Sequence, residues 1–321
     1  MVIVKRCIAF SIFMLATPIT FANCGAAYCL INTNFESQEP VPESAIKFNL
    51  RYEFVKQNQA RQGTKQVGIQ GVPDTHDELE TINHNLVLGL DYQFNDHWSA
   101  AAHIPYVKRR HAHLHNPDAA GIAAGALPER EEWKFTGLGD ARLVGRYQLK
   151  LGTRVVGAHL GVKLPTGKRD DTNDAGEVAE RSLQLGSGSS DLIASLFTNG
   201  PIADSRLSWF SQLQWQHALI SKDNFRPGDE LVLDLGLRYA VTDSLNANLQ
   251  INTRMKRRDS GAHAEPGDSG GRYVFFSPDL SFAVAAGLEI YGYVQIPLYQ
   301  YVNGTQLSQE RNFLTGVSYR Y

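Results

Sequence analysis

The chain has 321 residues, with 31 Lys and Arg against 33 Asp and Glu for a formal net charge of −2. A balance this even excludes the concentrated basic face of a dedicated nucleic-acid binder. Hydrophobic residues make up 43% of the chain, which a soluble domain and a barrel meeting lipid with alternate residues match equally well.

Lys5 and Arg6 precede a short apolar core from Cys7 to Leu15, and Thr20-Phe21-Ala22 places small residues where a signal peptidase reads. Residues 1–22 are therefore predicted to be a removable secretory signal, too short and wrongly flanked to span a membrane. Beyond residue 22 no apolar run reaches the roughly 18 residues of a membrane helix. An exported chain of this kind crosses a membrane only as a closed barrel. Cys24 and Cys29 remain after export, and in an oxidising compartment they are expected to form a small disulfide loop. Residues 23–44 have no clean period and end at Pro40 and Pro42, which predicts an irregular periplasmic lead-in.

From Ile46 the apolar residues alternate with period two, the signature of a strand with one apolar face. Ile46, Phe48, Leu50, Tyr52 and Phe54 define the first predicted strand, followed by a polar stretch from Lys56 to about Thr81. Leu86–Phe94 is the second, with a tight turn at Asn95-Asp96 into the third, His97 to about Lys108. Arg109–Lys134 reads as a long polar loop. Phe135–Leu149 and Val156–Leu164 form a hairpin about Lys150–Gly152, and Thr166–Gln184 is another long loop. Gly186–Thr198 is the weakest strand. Leu207–Gln216 follows the turn near Pro201, and Leu231–Val241 and Leu245–Met255 join at Thr242–Ser244. After the loop at Arg257–Arg272 come Tyr273–Val284, Leu288–Tyr301 and the closing strand Gln309–Tyr321.

Twelve strands with short turns alternating with longer polar links predict an all-β antiparallel up-and-down transmembrane barrel over residues 45–321. Both termini are then expected in the periplasm. The closing strand, aromatic on one face and ending on Tyr321, resembles the terminal strand of outer-membrane barrels. That resemblance implies assembly through the barrel-assembly machinery into outer-membrane lipid. Trp98, Tyr106, Trp209, Trp215, Tyr239 and Tyr321 suit interfacial girdle positions. On the opposite parity Lys47, Arg51, Glu53, Asp91, Asp140, Arg142, Arg146, Lys163, Asp191, Asp234, Arg238, Arg254 and Arg320 are expected to face the lumen. They form either a selectivity lining or a set of mutually paired charges that plugs it.

Three phrases carry a family resemblance. Gly137-Leu138-Gly139-Asp140 opens a strand, Gly161-Val162-Lys163-Leu164-Pro165-Thr166-Gly167 closes one, and Gly186-Ser187-Gly188-Ser189-Ser190-Asp191 opens the next. With the export signal and terminal strand, they resemble the outer-membrane proteins of the phenol meta-cleavage-pathway transporter-like family. The resemblance covers roughly residues 45–321. It implies a barrel that passes a small, often hydrophobic or aromatic, solute, and it implies no cofactor.

His111, His113 and His115 share one side of an extended chain, and imidazoles suit Zn, Cu or Ni. Without a visible fourth ligand the sequence reads them as incidental histidines of an external loop and predicts no metal. An outer-membrane acyl hydrolase is the enzymatic competitor. His217 and Ser211, the nearest candidates, lie six residues apart with no nucleophile elbow, so no catalytic residue is assigned. A structural surface barrel working through its loops is the other alternative.

Overall fold

The computed structural model describes residues 23–24 and 45–321, apart from 74, 174, 175, 177, 203 and 204. The expected signal segment and Cys29 lie outside the described residues, so the Cys24–Cys29 pairing does too.

The alternation is realised as a ring of antiparallel strands. In chain order these are β1 (Asn23–Cys24), β2 (Ile46–Gly63), β3 (Lys65–Gln66), β4 (His76–Gln93) and β5 (Trp98–His115). After the short helix α1 (Ala119–Ala123) come β6 (Glu129–Leu138), β7 (Arg142–Leu151), β8 (Arg154–Lys163) and β9 (Ser189–Pro201). The last five are β10 (Leu207–Ser221), β11 (Glu230–Ala240), β12 (Leu245–Lys256), β13 (Gly271–Ala285) and β14 (Leu288–Arg320). Eleven of them close the ring in the order β14-β13-β12-β11-β10-β9-β8-β7-β5-β4-β2, with β14 pairing back to β2; β1 and β3 lie outside it, and β6 pairs with β5 off this path. The 33-residue β14 supplies two staves, because its first half pairs with β13 and its second with β2. Counted by staves, the barrel has the twelve expected. Closure is sealed where Ile46 and Tyr321 exchange backbone hydrogen bonds of 3.1 and 2.8 Å.

Closing the sheet removes every free edge from the ring and sorts the two parities. Leu86, Leu88 and Leu90 are 43–50% exposed on the outside while Val87 between them is buried. The same apolar belt runs round the ring through Leu235 and Leu237 to Phe313 and Val317. Inside lie buried polar groups such as Glu53, Gln57, Asn83, Asn252 and Gln295.

Several staves continue well past their predicted ends. The stretch Lys56–Thr81 and the loop from Arg109 are largely strand, as β2, β4 and β5 each run 18 residues. Above the apolar belt both faces of a ribbon are polar, so the period of two fades although the ladder persists. The predicted fourth strand is two elements, β6 against the upper half of β5 and β7 against its lower half, interrupted at 139–141. The sixth begins at Ser189 rather than Gly186. The lead-in departs from its expected place beside the short turns: Asn23–Cys24 pair parallel to β14 at Gln306 and Leu307, at the long-loop end of the ring.

Candidate functional site: the lumen and its mouth

The inward parity encloses a cavity of about 440 Å³. Of the residues expected to face the lumen, all but Arg238 and Arg320 line it. Several are brought together as pairs. Arg51 Nε lies 2.8 Å from Glu53 Oε1, Arg254 reaches Glu230 at 2.5 Å, and Lys163 Nζ lies 2.9 Å from Asp191 and 3.3 Å from Asp140. Asp234 accepts from Asn252 at 2.8 Å. Val87, Val107, Val144, Ile193 and Val232 interleave apolar surface with these charges.

The cavity follows one wall because the other is filled. Along β13 and β14, which the cavity does not reach, polar side chains knit together with those of β12. Ser277 Oγ donates to Asn252 at 2.7 Å, and Asn248 donates to Asp279 at 2.5 Å. Asn312 donates to Gln295 and Gln309 at 2.8 and 2.9 Å. Tyr291 and Tyr293 pack with Val55 and Leu314 beside them. These side chains fill that part of the barrel interior and narrow the bore from one side.

The three phrases that carry the family resemblance meet at one point. The Asp140 carboxylate accepts from the backbone N–H of Gly167 at 3.1 Å and from the N–H and hydroxyl of Ser187 at 2.9 and 2.7 Å. Lys163 Nζ also donates to the hydroxyls of Ser187 and Ser189. A Cβ on Gly186 would sit 2.3 Å from the Gly167 carbonyl oxygen, so the two backbones cross where only glycine fits. This knot turns residues 179–187 into the bore. Arg109 clasps the segment, donating to the carbonyls of Leu183 and Gln184 at 2.5 and 3.1 Å. Its apolar side, Ala179, Leu183 and Leu185, packs on Val107, Trp133 and Phe135. Arg109, Arg181 and Gln184 thereby line the cavity, although sequence reading placed them in external loops.

At the long-loop mouth, the three histidines lie on β5 rather than in a loop. His111 and His113 are buried and face inward; His115 is exposed at the strand end. His111 Nε2 is 3.1 Å from Glu78 Oε2 and 3.4 Å from His113 Nδ1. Burial, followed by the neighbouring His113, Arg109 and His76, pushes His111 down to about 3. Burial and the carboxylates of Glu180, Glu265 and Asp77 hold Glu78 well above the usual range. No sequence signal marked Glu78, which sits in the polar stretch read as a loop. His217 bonds Asp229 at 2.7 Å and Arg226 at 3.1 Å rather than a serine.

No protein-family model matches the chain, and no curated protein matches it in sequence. Among solved structures it is similar to an outer membrane channel from Pseudomonas putida F1, at TM-score 0.64 and 14% identity, over 88% of this chain and 97% of that one. The chain has the fold of an outer-membrane β-barrel. The CymD monoaromatic hydrocarbon channel (12% identity) and the Ralstonia pickettii toluene transporter TbuX (11% identity) each align over 95% of this chain and 98% of theirs. At a TM-score of 0.45 these two share only general architecture with this chain.

Proposed function

We propose that this protein is a passive outer-membrane channel for a small amphiphilic solute, of the phenol meta-cleavage-pathway transporter-like type. The observation that carries the reading is a lumen packed along one wall and hollow along the other, with an inward segment narrowing the hollow side. A structural barrel gains nothing from a shaped cavity. A channel needs one that is wide enough to admit solute and narrow enough to select. The lining pairs apolar patches with nine lysines and arginines against seven aspartates and glutamates. That chemistry suits a small, mostly apolar or aromatic body bearing a negative or strongly polar group. The function is transport without chemical change, and the lumen-facing charges act by selection.

The apolar belt supports a seat in outer-membrane lipid, and the barrel-assembly machinery would insert it through the closing strand. The short-turn end, where Ile46 meets Tyr321, is assigned to the periplasm. Removal of residues 1–22 and a Cys24–Cys29 disulfide belong to the same reading.

Planar-bilayer recording of the purified protein tests the proposal. Discrete conductance steps are expected, with a reversal potential in a KCl gradient displaced toward chloride. A barrel that inserts and gives no steps would establish the plugged, structural alternative, which the Asn and Gln network on the filled wall favours.

A further inference from the structure

The mouth of the barrel holds a donor set that passage of solute does not require. β4 and β5 are antiparallel neighbours, with Thr81 opposite His111 and Glu78 opposite His113. Strand parity alone would turn Thr81 and Glu78 to opposite faces. A bulge between Glu78 and Glu80 shifts the register, and both side chains point inward and are buried. Bulges re-aim a side chain in this way at sites where its direction matters.

Both imidazoles are fixed from behind. His111 Nδ1 is bonded to Thr81 Oγ1 at 2.9 Å, and His113 Nε2 to Glu131 Oε2 at 3.0 Å. This leaves His111 Nε2 and His113 Nδ1 facing each other at 3.4 Å, with Glu78 Oε2 at 3.1 Å from the former. That carboxylate oxygen makes no hydrogen bond, although the Glu78 side chain is only 2% exposed. All three donor atoms lie within 4.8 Å of one another. Ligands held at about 2.0–2.1 Å in a tetrahedron stand roughly 3.4 Å apart, close to the two separations observed here.

We propose that Glu78, His111 and His113 form a site for a divalent transition metal ion of the Zn²⁺ type. Two imidazole nitrogens and one carboxylate oxygen favour such an ion over Ca²⁺ or Mg²⁺, which take oxygen. Glu131 and Thr81 are the outer partners that orient imidazoles around a metal. The surroundings call for positive charge as well: Glu180 lies beside the set, 3.6 Å from His76, whose ring stacks on His113 at 4.8 Å. A dication would offset this concentration of carboxylates. It would also join β4 and β5 directly, and β6 through Glu131, at the rim above the bore.

The test uses detergent-purified mature protein without a histidine tag, stripped with chelator and titrated with ZnCl₂ by calorimetry. One ion per chain is expected, with a Kd of about 1 μM or tighter. Glu78→Gln and His113→Ala should each weaken binding at least about 10-fold, and Glu131→Gln about 10–100-fold. His115→Ala should leave binding unchanged. Heat-modifiable migration confirms that each variant is a folded barrel. Should the variants misfold, the visible absorption of the Co²⁺-loaded wild type reads the coordination directly, four- or five-coordinate if the site is as described. No binding up to ~100 μM, binding indifferent to Glu78→Gln and His113→Ala, or a Co²⁺ spectrum like that of the hydrated ion would leave a metal-free hydrogen-bonded chain and overturn the proposal.

Discussion

Replacing Asp140 by Asn tests whether the inward segment is held by the knot of glycine-rich phrases. The wild-type carboxylate accepts from Gly167 N–H through Oδ1 and from Ser187 N–H and Oγ–H through Oδ2, with Lys163 Nζ 3.3 Å away. The better amide orientation keeps its oxygen toward Ser187. Its NH₂ then confronts the Gly167 N–H, donor against donor. One charge-assisted hydrogen bond goes, at about 1.5–3 kcal/mol, and a shielded donor is left without an acceptor, at about 1–3 kcal/mol. Lys163 keeps Asp191 at 2.9 Å, so the staves themselves stay paired. Together these come to about 2.5–6 kcal/mol, and the loss acts locally, on the segment and not on the ladder of the ring.

Asp140→Asn should therefore release residues 164–188 without unfolding the barrel. Single-channel conductance should rise, and the bonds after Lys168 and Arg169 should become sensitive to trypsin. Heat-modifiability should be unchanged. Wild-type conductance together with wild-type protease resistance would refute the idea that this carboxylate holds the segment in the bore.

Three further outcomes follow from the same geometry. Leu235 sits mid-stave on the outer face at 45% exposure, so Leu235→Arg should cost about 2–4 kcal/mol in the bilayer, read as a lower unfolding midpoint in urea with lipid vesicles. An unaltered midpoint means that face does not meet lipid. A Cβ on Gly236 would fall 1.9 Å from Phe210 Cε1; Gly236→Ala should destabilise by about 1–3 kcal/mol, with most of the loss recovered when Phe210 is also changed to Leu. Burial, then Glu180, Asp268 and Asp259, push Glu265 up to about 9 from an ordinary 4.5. The folded chain thus holds a proton the unfolded one releases, and this contribution is complete below pH 4.5 and lost as pH rises through 9. In chelator-treated protein, hydrogen exchange in the 257–270 loop should accelerate across that window, and Glu265→Gln should flatten the dependence.

Much of this barrel is legible in residue parity, and the illegible part has one cause. Leu86, Leu88 and Leu90 announce their stave because an apolar outer belt and a polar interior impose opposite demands on neighbours. At His76–Thr81 both faces are polar, so the same ladder leaves no period, and Glu78 and Arg109 vanish into apparent loops. The bulge at Glu78 compounds this, since a residue count through it gives the wrong face. Long-range returns of the chain are equally silent. Nothing near Arg109 in sequence indicates that its partners are the carbonyls of Leu183 and Gln184. The glycine phrases were visible, but their meeting was not, because a crossing such as Gly167 on Gly186 is a contact between backbones.

The position of that knot separates how wide the channel is from what it prefers. Asp140, Gly167 and Gly186 fix the inward segment, whereas Arg142 and Arg146 stand on β7 and line the hollow wall. If the segment sets only the free area, loosening it should raise conductance for cations and anions in equal proportion. Neutralising Arg142 and Arg146 should instead shift the reversal potential at nearly constant conductance. Arg181 complicates this, because it rides on the segment, is bonded there to the carbonyls of Arg169 and Ser187 at 2.7 and 2.9 Å, and lines the cavity. Asp140→Asn would carry Arg181 out of the bore with the segment, while Arg181→Gln removes its charge with the segment in place. A loss of anion preference in Asp140→Asn that Arg181→Gln reproduces would assign selectivity to the segment. A preference kept in both would assign it to the arginines of β7.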